Sequence, residues 1–189
     1  ATFSEQVPTL LSIILLFFCG LEPYECAGAS VSRDSIRLSA ESHLQEDRPR
    51  QAAELLRGLE KSGLALGEDY VRMGEAYLAA RDRGKAKRAF QKAIKKGAPA
   101  QGYHGIGMVY LDMGAHGHMA LVNFRKALGA DSTFTEAQYQ IAQIYRSLRP
   151  LDAEVAYLTT ISMDASHPDA HYQLGRLLED EGRQVEAKV

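Results

Sequence analysis

DYVRMGEAYLAARDRGKAKRAFQKAIKKGAP, residues 69–99, decides the fold of this chain. Within it Tyr70, Met73, Gly74 and Tyr77 recur at three- and four-residue steps, which places them on one stripe of a helix. After a break at Arg81-Asp82-Arg83-Gly84, a second stripe forms from Ala86, Ala89, Phe90, Ala93 and Ile94. Gly97 and Pro99 close that second helix, because Gly accepts the backbone conformation past a helix end and Pro cannot continue one. Small Gly74 and Ala86 predict a close approach of the two helices. Large Tyr77 and Phe90 fill the space beside it.

The pattern repeats. Gly74, Tyr77, Ala86, Phe90 and Ala93 are echoed 34 residues earlier by Ala40, His43, Ala52, Leu56 and Leu59. The second-helix set returns 34 residues later as Ala120, Phe124, Lys126 and Ala127. First-helix landmarks of that unit, Gly107 and Tyr110, fall 33 residues on, which puts one extra residue in the turn around Ala115-His116-Gly117. A further unit offers Ile141, Ala142 and Tyr145, then Leu158 and Ile161, with Glu154 standing where a small residue is expected. The last gives Leu174, Gly175, Leu178 and Ala187. Self-similarity at a fixed period means stacked helix pairs, none of which can bury its apolar face alone.

This spacing of aromatic, Leu-like, Gly, Tyr, Ala, Phe, Ala and a closing Pro resembles the tetratricopeptide repeat (TPR). The resemblance implies an all-α chain, a right-handed α-solenoid of helix-turn-helix units at about 33–66, 67–100, 101–134, 135–168 and 169–189. The array reads as continuing past Val189, since Ala187 only opens a second helix.

Residues 1–29 differ in kind. TLLSIILLFFC, residues 9–19, is apolar save for Thr9 and Ser12, and Ala27-Gly28-Ala29 offers a small-residue cleavage site. The run falls short of the roughly 20 apolar residues that span a bilayer. The expectation is a signal peptide cleaved after Ala29 or an uncleaved anchor, hence a periplasmic, secreted or envelope-associated protein. No Lys or Arg precedes the apolar run and the first residue is Ala, so the expectation includes a true start upstream. Cys19 and Cys26 both precede the cleavage point, so the mature chain would carry no thiol. High Arg relative to Lys, with Asn123 the single Asn, points to a bacterial source.

Chemistry finds little foothold. Gly102-x-x-Gly105-x-Gly107 lies in a helix pattern and not after a strand, so it reads as packing and not as a phosphate loop. His116, His118 and His104 lack the convergent Cys or carboxylates of a metal site. No nucleophile elbow or HExxH occurs, so the expectation is no enzyme, no cofactor and no metal. Net charge is −2, which argues against a chain built to coat nucleic acid. Charge is uneven, however. Arg81 to Lys96 carries eight basic residues against Asp82, whereas Asp131 to Ala187 carries ten acids and four Arg.

The TPR resemblance implies a protein or peptide partner along the concave face lined by first helices. Counting from the landmark Gly or Ala, the inward residues are Glu75, His104, Met108, Tyr139, Gln143, Arg146, Tyr172 and Arg176. Tyr, Met, His and Arg are interface-anchoring types. The family's carboxylate clamp for acidic C-terminal peptides uses Lys and Asn, whereas Val71, Glu75, His104 and Met108 stand here. The leading expectation is a non-catalytic interaction scaffold in the bacterial cell envelope. Two alternatives remain: an N-terminal interaction arm of a larger protein active beyond Val189, and anionic lipid or nucleic-acid binding by the basic 81–96 helix. Membrane contact is otherwise expected only through an uncleaved N-terminal segment.

Overall fold

The computed structural model of the chain describes residues 32–114 and 117–183. The N-terminal segment, the extra turn residue near His116 and the helix at Ala187 lie outside the described residues. The described helices are α1 Arg33–Gln45, α2 Pro49–Lys61, α3 Gly67–Ala79, α4 Arg83–Lys95 and α5 Pro99–Asp112. They continue as α6 Gly117–Ala130, α7 Thr135–Leu148, α8 Pro150–Met163 and α9 Pro168–Asp180, with no strand among the described residues. Each helix packs on the next in sequence, and α3 also touches α5 directly. Pro opens α2, α5, α8 and α9, where its fixed φ suits the first turn and its missing N–H is not required.

Turns set the register. Inside the α1–α2, α3–α4 and α5–α6 pairs the chain reverses through a residue of positive φ, Asp47 at 56°, Arg81 at 62° and Gly114 at 82°, and Gly182 at 76° follows α9. These positions keep the 33- to 34-residue period, and one member is missing, between α7 and α8. There Arg149 ends α7 and caps α8 at φ −153°, so the pair turns with one residue fewer. This corrects the sequence reading of that unit. Ala153, Tyr157 and Thr160 occupy the core at 0% exposure, whereas Leu158 is 50% exposed and Glu154 lies off the core stripe. A fixed 34-residue count overshoots by the residue that the turn omits.

Between units the solution changes along the stack. Gly63 and Gly97, at φ 76° and 94°, make the first two reversals. In the last two, Asp131 and Asp164 instead accept hydrogen bonds from the backbone N–H and hydroxyl two residues on, in Thr133 and Ser166. Those bonds lower both carboxyl pKa values.

The core is a ladder. Ala52, Ala86, Ala120 and Ala153 are fully buried, and beside them stand Leu56, Phe90, Phe124 and Tyr157. Facing glycines make room for the rings: a Cβ on Gly74 would lie 2.6 Å from Phe90, and one on Gly107 would lie 2.4 Å from Phe124. Tyr157 is the exception in this series, because its hydroxyl is buried with no hydrogen-bond partner among the described residues. Burial pushes its pKa up to about 12. An unpaired buried polar atom costs about 1–3 kcal/mol, so Tyr157→Phe is expected to raise stability by about 1 kcal/mol. Urea midpoints by circular dichroism check this. An unchanged or lower midpoint would mean that the hydroxyl is satisfied by bound water.

Candidate interaction surface

All eight residues expected on the partner face lie on first helices: Glu75 on α3, His104 and Met108 on α5, three on α7 and two on α9. The structure divides them into open and packed groups. Glu75 keeps solvent access, yet its carboxyl is ringed by protein, and this loss of water raises its pKa while Arg72 pulls it back. Tyr172 is 61% exposed, and the guanidinium of Arg176 lies 6.0 Å from its ring centre. These three are available for contact.

The others are tied into the stack. His104 is half-buried, with Phe124 at 5.4 Å and Phe134 at 5.3 Å between ring centres. Burial lowers its pKa, opposed by Glu136, so the neutral imidazole is favoured. Met108 packs into the same cluster. Tyr139 lies 4.8 Å from His167 and 6.3 Å from Tyr157, and its hydroxyl accepts a hydrogen bond from Gln143. Arg146 donates to Gln173 and sits 3.8 Å from Asp180, tying α7 to α9. A first-helix position therefore does not guarantee an open side chain.

Much of the basic stretch also has internal work. Arg81 and Arg83 converge on Asp112 at 2.5 Å each, and Arg83 chiefly holds that carboxyl below its usual pKa. Lys87 donates to the Tyr110 hydroxyl at 2.8 Å. Lys92 reaches Glu60 and lies 5.8 Å from the Tyr70 ring, and Lys126 repeats that placement on Tyr103 at 5.7 Å. Aromatic-first, lysine-second pairing is thus part of the repeat.

Sequence reasoning passed over Asp69. It is fully buried, accepts from the Leu66 backbone N–H at 2.8 Å and faces Arg33 and Arg37. Among the described residues no group of three His, Cys, Asp or Glu is placed to hold a metal, and no helix is long and apolar enough to cross a membrane.

The helix pairs, the ladder of small and large residues and the recurrent turns define a repeat solenoid. A family profile described as "Tetratricopeptide repeat" matches residues 70–95, within the α3–α4 pair. Among solved structures, its fold is similar to PilF of Pseudomonas aeruginosa: 16% identity, 82% of this chain and 72% of that one, TM-score 0.70. TTC0263, a thermophilic TPR protein of Thermus thermophilus, matches at 16% identity over 82% and 86%, TM-score 0.66. MamA of Desulfovibrio magneticus RS-1 matches at 18% identity over 82% and 88%, TM-score 0.61. No curated protein matches the sequence.

Proposed function

We propose that this chain is a non-catalytic scaffold that holds partner proteins along its first-helix face, in the bacterial cell envelope. Its fold is one used for protein–protein interaction. The observation that carries the choice of face is the open Tyr172–Arg176 pair on α9, with Arg176 at the repeat position that Glu75 occupies on α3. Exposed Tyr and Arg are the residue types that dominate interface energetics. The apolar run at residues 9–19 and the Ala27-Gly28-Ala29 site support export.

The test uses the full chain as bait against separate envelope and cytosolic fractions, with captured proteins identified by mass spectrometry. Tyr172→Ala with Arg176→Ala removes exposed groups without touching the core. Loss of a hot spot costs about 2 kcal/mol or more, so capture should weaken at least about 30-fold. Undiminished capture by the double variant would remove the face from consideration. Recovery of cytosolic proteins alone would remove the envelope.

A further inference from the structure

Two grooves on the molecule are repeat copies of each other. One, about 290 Å³, lies between α2, α3 and α4, and the other, about 440 Å³, between α6, α7 and α8. Their walls correspond position by position: Arg57 with Arg125, Met73 with Ile141, Tyr77 with Tyr145 and Ala89 with Ala156. Four further positions diverge. Glu60, Lys85, Arg88 and Lys92 in the first groove are replaced by Leu128, Asp152, Val155 and Thr159 in the second. Lys92 is held by Glu60 and Lys85 lies 5.4 Å from the Tyr77 ring, so internal contacts account for those two, whereas no packing contact among the described residues accounts for Arg88.

Hydrogen bonding leaves capacity in that groove. Arg57 is paired with Glu54 at 3.4 Å, Lys85 with Asp82 at 2.9 Å, and Lys92 with Glu60. Arg88 is exposed and makes no hydrogen bond or ion pair among the described residues, although Asp82 feels its charge. The floor is apolar, from buried Met73 and Ala89 beside the Tyr77 ring. Fixed cations around an apolar floor match a carboxylate on a short aliphatic stem. The interleaved acids Glu54, Glu60 and Asp82 interrupt the continuous positive potential that a nucleic acid or an anionic membrane requires.

We propose that the α2–α3–α4 groove binds a Glu- or Asp-bearing segment of a partner protein, with the Arg88 guanidinium as its principal anchor. This is a second surface, separate from the first-helix face and tested by different variants.

The experiment titrates the ¹⁵N-labelled full chain at low salt with a blocked hexaglutamate peptide. Parallel arms use inorganic phosphate, phosphatidylglycerol vesicles and duplex DNA. Hexaglutamate should shift amides around Arg57, Tyr77 and Arg88, and Arg88→Glu should weaken it at least tenfold. Arg88→Lys should retain most binding, and Arg50→Glu, an exposed charge on α2 outside the groove, should change it little. Because Arg88 is unpaired, Arg88→Glu should keep the parent melting curve; if it does not fold, Arg88→Gln replaces it with the same expectation. Absent shifts, or equal weakening by the Arg50 and Arg88 variants, would overturn the proposal. So would phosphate, vesicles or DNA binding the same residues more tightly than hexaglutamate.

Discussion

Phe90→Ala is expected to remove about 3–5 kcal/mol from the array and to loosen the helices on both sides of it. Phe90 is 1% exposed and stands where three helices meet. A Cβ on Gly74 of α3 would lie 2.6 Å from the ring, and one on Gly105 of α5 would lie 2.2 Å from it. Two helices have thus given up side chains to admit one ring. Truncating that ring leaves a void with no nearby Cβ to collapse into it, which places the cost toward the upper end for such substitutions. In a solenoid each unit is stabilised by its neighbours, so the damage spreads from α4 to α3 and α5. Urea unfolding by circular dichroism measures the loss, and amide exchange locates it. Faster exchange should appear at Tyr77 and Ile106 as well as within α4. A loss under about 1 kcal/mol, or exchange confined to α4, would show that the ring is not the junction described here.

The fold was legible because the ladder positions tolerate so few residue types. Gly74 and Gly107 must be small to meet rings, and Phe90 and Phe124 must be large to reach them, so the period survives in the letters themselves. What failed was counting. In the unit of α7 and α8 the Ala-x-x-x-aromatic-x-x-small pattern is intact as Ala153, Tyr157 and Thr160. It begins one residue early, because the turn at Arg149 lacks the left-handed residue the other pairs use. Matching the pattern and not the offset would have found it. The proposed interaction face was less legible for a different reason. Whether a first-helix side chain is open depends on what the turns bring to it. Phe134, from the turn before α7, covers His104, and His167, the cap of α9, covers Tyr139. Neither contact leaves a trace in the periodicity of α5 or α7.

Asp69→Ala is expected to cost about 2–4 kcal/mol and to release α1 from the stack. An acid beside an aromatic at the start of a unit reads as an exposed first-turn residue, favourable to the helix dipole and little more. The structure places it at 0% exposure. It accepts from Arg37 and from the Leu66 backbone, with Arg33 at 3.4 Å. The Arg37 side chain is 16% exposed, and its pKa is raised chiefly by this hydrogen bond, against the opposing effect of burial. Removing the carboxylate leaves the Arg37 guanidinium, among the described residues, with only the exposed Glu68 at 3.2 Å and takes the acceptor from the Leu66 amide at the start of α3. Arg33, at 30% exposure, can turn to water, which keeps the cost below that of a fully enclosed triad. Asp69→Asn retains an acceptor for Leu66 but not the charge, so its loss should fall between parent and Ala. The position of the defect matters as much as its size. Arg37 and Arg33 are both on α1, so this cluster holds the most degenerate unit against α3. Limited trypsin digestion should therefore cut after Arg33 and Arg37 several-fold faster in Asp69→Ala, with sites in α4 to α6 unaffected. Equal cutting rates in parent and variant would mean that α1 is held by its packing on α2 alone, and the buried charge cluster would lose its role in ordering the stack.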